Sequence, residues 1–168
     1  MAIFGSNDYA RLDYQLLQNG SVVLYWRSAF LVEDLGWLEA QGYVSRPFQC
    51  ESWKTASDFH RDVAESLQFP SYYGANLDAF NDSLSDVEVP LNGGLVLVFH
   101  RFDLFAVTER KVAEAALDII ATNSRRFLLE GRRLLCLVQS NAPQLNFPPV
   151  GAEPVLWNPR EWLDKARR

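Results

Sequence analysis

Three short runs of apolar residues constrain the fold of this chain more than any other feature. Val22–Trp26, Leu95–Phe99 and Leu134–Val138 are continuous rather than alternating, which is typical of strands buried on both faces of a parallel sheet. Segments with helical spacing separate them, so helical crossovers can join parallel strands. A further strand is predicted at Phe48–Glu51. The sequence therefore predicts an α/β fold, with a small parallel sheet of three to four strands flanked by helices.

Apolar spacing and capping residues predict where the helices lie. Thr55-x-x-Asp58 resembles a capping box at the start of one helix, and Asn158 followed by proline resembles the start of a short last helix that docks Trp162 and Leu163. Thr108 is expected to cap a long helix that ends at Gly131. The other predicted helices cover residues 8–19, 30–41 and 76–85.

The charges of the chain are unevenly distributed. Its formal net charge is −5, and residues 62–100 contain six of the 21 acidic residues but none of the 16 basic ones. A concentrated negative field attracts a basic partner and repels nucleic acid, although an ordinary solvated acidic face has the same pattern. Arg132-Arg133 and Arg167-Arg168 are isolated pairs. We therefore expect a basic protein as partner and no nucleic acid.

Composition also bears on compartment and cofactors. Cys50 and Cys136 are the only cysteines, and no cluster of histidine and cysteine predicts a metal site or another cofactor. The longest uncharged stretch, residues 134–152, contains three prolines and several amides, and no secretory signal is visible at the N-terminus. The expected compartment is the cytoplasm, with both thiols reduced and no contact with a membrane.

The predicted helix at residues 76–85 has the most informative pattern of side chains. Plotted at about 100° per residue, its apolar residues form one stripe: Leu77, Phe80 and Leu84. Three carboxylates lie nearly opposite, one turn apart: Asp78, Asp82 and Asp86. Because like charges at this spacing destabilise a helix slightly, the row is a candidate functional surface.

The sequence around this helix resembles the barstar family of intracellular ribonuclease inhibitors. The run FPSYYGANLDAFNDSL, residues 69–84, is similar to the central motif of that family, and LVLVFHRF, residues 95–102, is similar to its second strand. The resemblance covers about residues 46–140. It implies a barstar-like domain there and nothing about the residues on either side. The residue patterns predict an N-terminal extension of helix, strand and helix (residues 1–45) packed on that core, and a proline-rich tail with a short C-terminal helix (residues 141–168).

The resemblance also implies a function and a binding site. Barstar-like proteins block the active site of a ribonuclease with the helix after Tyr-Tyr-Gly, whose carboxylates replace substrate phosphates. This implies an immunity protein without catalytic residues, whose partner is a basic ribonuclease-type toxin. Asp82 would be the central contact. The expected partner-binding residues are Tyr72, Asn76, Asp78, Asn81, Asp82 and Asp86.

Some positions depart from the family or allow a different interpretation. Asn81 stands where the family has an aromatic contact, and Arg125-Arg126 stands near another acidic contact of the family. The alternative function is a small hydrolase or nucleotide-binding protein that uses Asp78 and Asp82 as paired carboxylates or metal ligands. Two histidines complete the candidates: His60 is expected on the outer side of its helix, and His100 follows a buried strand.

Overall fold

The computed structural model describes residues 3–167, which form one five-stranded sheet and six α-helices. The strands are β1 (Val22–Tyr25), β2 (Tyr43–Gln49), β3 (Gly94–His100), β4 (Leu134–Gln139) and β5 (Leu156–Trp157). The helices are α1 (Leu12–Gln18), α2 (Ser28–Ala40), α3 (Ala56–Ser66), α4 (Leu77–Ser85), α5 (Phe102–Thr108) and α6 (Arg110–Leu129). None of the helices in residues 3–167 is long and apolar enough to cross a bilayer.

All neighbouring strands are parallel, in the order β2-β3-β4-β1-β5, which confirms the predicted fold class. The sheet has five strands rather than three or four because the tail adds β5, a two-residue strand without an apolar run to predict it. Strand β2 begins at Tyr43 rather than Phe48, and Cys50 already belongs to a 3-10 turn. Its place at the edge of the sheet accommodates Pro47, which lacks the N–H that an inner strand needs.

The continuous apolar runs are buried because helices cover both faces of the sheet. Alternate side chains of the strands enter two separate cores. Leu95, Leu97 and Phe99 of β3 face the core beneath α3–α6, whereas Val96 and Val98 face the core beneath α1 and α2. All residues of β1 and β4 are buried.

The long helix predicted between Thr108 and Gly131 is present as α6, and the short helix α5, which the sequence did not predict, precedes it. Glu109 has φ −132° and ψ 56°, outside the helical region, and separates α5 from α6. Thr108 closes α5 instead of capping α6, because its hydroxyl donates back to the carbonyl oxygens of Leu104 and Phe105 at 3.3 Å. The apolar pattern continues through the break, since Phe102 and Phe105 lie in the same core as Ala116.

Hydrogen bonds that buried carboxylates accept from tyrosines of the sheet attach the first two helices to it. The carboxylate of Asp13 in α1 accepts the hydroxyl of Tyr43 at 2.8 Å, and that of Asp34 in α2 accepts the hydroxyl of Tyr25 at 2.6 Å. Burial alone would raise the pKa of Asp13, but hydrogen bonds from Arg11 and Tyr43 hold it below its usual value. Both carboxylates are therefore structural.

The end of the chain is attached in the same way, through Glu161. Its fully buried carboxylate accepts the backbone N–H groups of Trp26 (2.9 Å) and Arg27 (2.6 Å), which follow β1. The expected C-terminal helix is wrong, because Pro159–Glu161 forms only one 3-10 turn. Trp162 and Leu163 are 41% and 82% exposed, so the buried anchor of this segment is a carboxylate and not an apolar stripe.

The two cysteines are free thiols buried in the core beneath α3–α6. Burial raises the pKa of both thiols, and Cys50 donates weakly to the carbonyl oxygen of Phe48 at 3.8 Å. Both thiols are therefore unreactive core residues at neutral pH.

We expect Glu161→Ala to lower the free energy of unfolding by about 2–4 kcal/mol, because two partly buried backbone N–H groups lose their buried acceptor. Glu153→Ala removes the same charge from an exposed position of the tail and should leave stability unchanged. Chemical denaturation of both variants measures the difference. Equal stabilities would contradict the anchoring role of Glu161.

Candidate functional site

The acidic helix α4 begins at a capped end and is held by two core residues. The side chain of Asn76 accepts the backbone N–H of Ala79 at 2.8 Å, which satisfies one free donor of the first turn. Phe80 and Leu84 are completely buried against α3 and α6, as the wheel predicted. Leu77 is only half-buried and lies outside the core, so the apolar stripe is narrower than expected.

The opposite face of α4 carries carboxylates without partners. Asp78, Asp82 and Asp86 are exposed, and so is Glu88 just beyond the helix. Within residues 3–167, no lysine, arginine or histidine pairs with any of these four side chains. By contrast, the buried Asp13 is bound by an arginine. Four unpaired carboxylates therefore share one surface.

Tyr72 stands beside this surface, on the loop between α3 and α4. Its side chain is 85% exposed. The neighbouring Tyr73 turns inward instead: its hydroxyl oxygen lies 2.5 Å from Nδ1 of His60, and its ring lies 5.0 Å from that of Phe69. Burial raises the pKa of Tyr73 to about 12. One tyrosine thus anchors the loop while the other is presented to solvent.

The expected position of His60 on the outer side of α3 is wrong. His60 is buried, because the loop of residues 69–75 folds over that side of the helix and widens its covered face. Burial lowers the pKa of His60 and that of the half-buried His100 below the usual value of 6.5.

Two of the six expected contact residues use their polar groups within the protein. The amide of Asn76 caps α4 and also donates to the carbonyl oxygen of Gly74 at 3.3 Å. The side-chain oxygen of Asn81 accepts Nδ2 of the buried Asn123 in α6 at 2.9 Å. Within residues 3–167, no such bond holds the side chains of the other four: Tyr72, Asp78, Asp82 and Asp86. The six residues lie in one region, but they divide into four free side chains and two that fix the helix.

Two residues of α6 position α4, a role that the sequence predicted for neither of them. Besides Asn123, Arg126 donates from Nη2 to the carbonyl oxygen of Ser85 at 2.7 Å and so binds the last turn of α4. Arg125 points elsewhere, toward the carbonyl oxygen of Gly151. Three residues lie on one face of α6 because they follow helical spacing: Ile119, Asn123 and Arg126. The sequence therefore shows this face, but it does not show that α4 packs against it.

A groove runs between the loop at residues 67–72 and the segment at residues 82–88. It has a volume of about 270 Å³, and Asp82, Asp86 and Tyr72 are among its lining residues. No group of three or more histidine, cysteine, aspartate or glutamate side chains in residues 3–167 could hold a metal ion. The surface of α4 is thus an exposed, unpaired acidic helix bordered by a groove.

Backbone strain in the loop suggests a stability test. Ala75, which precedes the cap of α4, has φ +50°, a conformation that glycine adopts more easily. Ala75→Gly should raise the free energy of unfolding by about 0.5–1 kcal/mol. Ala79→Gly, the same change within α4, should lower it by about 1 kcal/mol. Urea denaturation measures the free energy of unfolding of both variants. A lower value for Ala75→Gly than for the parent would contradict backbone strain at Ala75.

The lowered pKa of the histidines gives a pH dependence with a defined sign. The unfolded chain binds protons at about pH 6.5, above the folded-state pKa of His60 and His100. The contribution of the two neutral histidines to the free energy of unfolding should therefore be fully present above pH 6.5 and should fall as the pH drops below that value. Denaturation at several pH values, with an NMR titration of the imidazole protons, measures both quantities. A folded-state pKa for His60 at or above 6.5 would contradict this expectation.

The family comparison matches the segment that contains this surface. The model of the family described as "Barstar (barnase inhibitor)" matches residues 43–139, which is more than half of the chain. The matched segment includes β2, β3, β4 and all four helices α3–α6. The resemblance predicted from residues 69–84 is confirmed, and the chain belongs to the barstar family.

Proposed function

We propose that this protein inhibits a ribonuclease by inserting helix α4 into the enzyme's basic active site. The observation that carries the proposal is the row of exposed carboxylates, Asp78, Asp82 and Asp86, without a cationic partner in residues 3–167. A cleft that binds phosphate offers lysine, arginine and histidine donors to such carboxylates. Family membership supports the same class of partner.

The anchoring of α4 supports a rigid contact surface. Asn76 caps its first turn, Asn123 binds its middle through Asn81, and Arg126 binds its last turn. Because these bonds already fix the helix, little conformational entropy remains to be lost when it enters a cleft. Asp82 is the central contact in this proposal, with Asp78 one turn earlier, Asp86 one turn later and Tyr72 beside them.

The charge pattern also predicts how association proceeds. A surface with four unpaired carboxylates steers a basic enzyme toward it, and salt screens this attraction over about 8 Å at physiological ionic strength. Such an inhibitor protects RNA where it is made, so the proposed setting is a bacterial cytoplasm and the proposed partner is a ribonuclease toxin.

The alternative, a hydrolase or nucleotide-binding protein that uses Asp78 and Asp82, has less support. Both carboxylates lie on one exposed helix, and no histidine or basic side chain of residues 3–167 converges on them. General acid–base chemistry requires such a converging group.

The test is inhibition of RNA cleavage by barnase and by related basic ribonucleases. We expect Asp82→Asn to weaken inhibition about 100-fold or more, because buried cations of the enzyme lose their partner. Glu65→Gln changes an exposed residue of α3 that forms no ion pair within residues 3–167. It removes the same charge and should change inhibition less than about threefold. Thermal melting should be unchanged in both variants.

Two outcomes would contradict the proposal. The first is that the parent chain inhibits none of these ribonucleases. The second is that Asp82→Asn inhibits as well as the parent while melting at a lower temperature, since the carboxylate would then be structural. Phe80→Ala serves as the opposite control, because truncation of this buried ring should lower stability by about 3–5 kcal/mol.

A further inference from the structure

We propose that the surface around the end of α6 is an interface between two copies of this chain. Leu129, the last residue of α6, is 83% exposed, and its neighbour Leu128 lines an apolar hollow. One surface therefore carries both an exposed leucine and a cavity that can receive one. The proposal goes beyond the proposed function and does not depend on it, because no residue of α4 lines this hollow or the adjoining one.

The hollow has the size and chemistry of a site for an aliphatic side chain. Its volume of about 260 Å³ exceeds the roughly 150 Å³ of an apolar cavity that can hold benzene. Five apolar or aromatic side chains and one amide line it: Ile3, Phe4, Tyr14, Leu17, Leu128 and Gln18. Because no charged side chain lines it, an ion would lose its hydration there without gaining a partner. A leucine would bury apolar surface there at no such cost.

Contacts with the end of the sheet hold the wall that residues 3–4 form. Arg133, just before β4, donates from Nη2 to the carbonyl oxygen of Ile3 at 2.6 Å, and its guanidinium carbon lies 4.6 Å from the centre of the Phe4 ring. The Phe4 ring meets that of Tyr14 edge-on, with ring centres 5.3 Å apart. The hollow is therefore preformed, and little conformational entropy is lost when a side chain enters it.

Two opposite charges border the same surface. A smaller hollow of about 50 Å³ adjoins the first, since both share Leu17 and Leu128, and its lining includes Arg125 and Glu153. Neither side chain forms an ion pair within residues 3–167, although Arg125 donates to the carbonyl oxygen of Gly151 at 3.4 Å. A partner that covers this surface has to supply an acidic group opposite Arg125 and a basic group opposite Glu153.

A second copy of this chain supplies both groups. In a two-fold arrangement every contact occurs twice, so Arg125 of each copy faces Glu153 of the other while Leu129 of each copy enters the other's hollow. An unrelated partner would need an apolar side chain and the reversed pair of charges in matching positions, whereas this surface already presents them. Glu153 and all but one of the residues that line the larger hollow lie outside residues 43–139, so the interface belongs mainly to the regions that the family model does not match.

The first experiment measures the mass of the full chain by sedimentation equilibrium. Between about 5 and 500 µM we expect the mass to rise toward twice that of one chain. Leu129→Asp should weaken association at least about tenfold, because it places a charge in the apolar hollow. Leu163→Asp makes the same change at a tail leucine that is 82% exposed and lines neither hollow, so association should change less than about twofold.

Charge exchange tests the two-fold geometry. Arg125→Glu and Glu153→Arg each place like charges opposite one another and should weaken association at least about fivefold. The double variant that carries both changes restores opposite charges and should associate within about twofold of the parent. Thermal melting verifies that each variant is folded, and we expect it to be unchanged because both side chains are exposed.

Three results would overturn the inference: a parent chain that stays monomeric at the highest concentration, equal association of Leu129→Asp and Leu163→Asp, and a double charge variant that associates no better than either single variant. Loss of association in Leu129→Asp together with its recovery in the double charge variant supports the interface. No ribonuclease takes part in these measurements, so their outcome is separate from that of the inhibition assay.

Discussion

A parallel sheet has to be covered on both faces, and most of this structure follows from that requirement. The matched segment, residues 43–139, supplies three strands and the four helices of one face. The helices α1 and α2 supply the cover of the other face, where Leu16, Leu31 and Leu38 meet the strand side chains that point away from α3–α6. Without that cover, Val96 and Val98 of β3 would lie in water.

The regions outside the matched segment are joined to it by polar bonds as well as by apolar packing. Strand β1 inserts between β4 and β5, and Asp13, Asp34 and Glu161 each accept hydrogen bonds from buried or partly buried donors. Such carboxylates cost solvation energy when buried, but each one specifies a single arrangement of its donors. The carboxylates of Asp13, Asp34 and Glu161 are therefore bound within the protein, whereas no cationic side chain of residues 3–167 pairs with the carboxylates on α4.

The same division explains how α4 can combine stability with an unfavourable surface. Its exposed carboxylates repel one another, and its own length of nine residues is too short for independent stability. Phe80 and Leu84 supply the packing, and Asn76, Asn123 and Arg126 supply bonds at its start, middle and end. The repulsion is thus tolerated because contacts on the inner side hold the helix, while the carboxylates of the outer side stay exposed to solvent.

Local patterns in the sequence determined the element types, and tertiary contacts decided which residues those elements bring together. Continuous apolar runs predicted β1, β3 and β4, because a strand buried on both faces carries apolar residues throughout. Helical spacing predicted α4 with its carboxylates outward, because a helix buried along one stripe carries its apolar residues on that stripe. The strand β5, the buried His60 and the anchor Glu161 left no such pattern, since each depends on a segment distant in the chain. For the same reason the motif Tyr-Tyr-Gly-Ala-Asn identified the surface, but only the packing of α6 against α4 assigned Asn81 an inward bond and left Asp82 free.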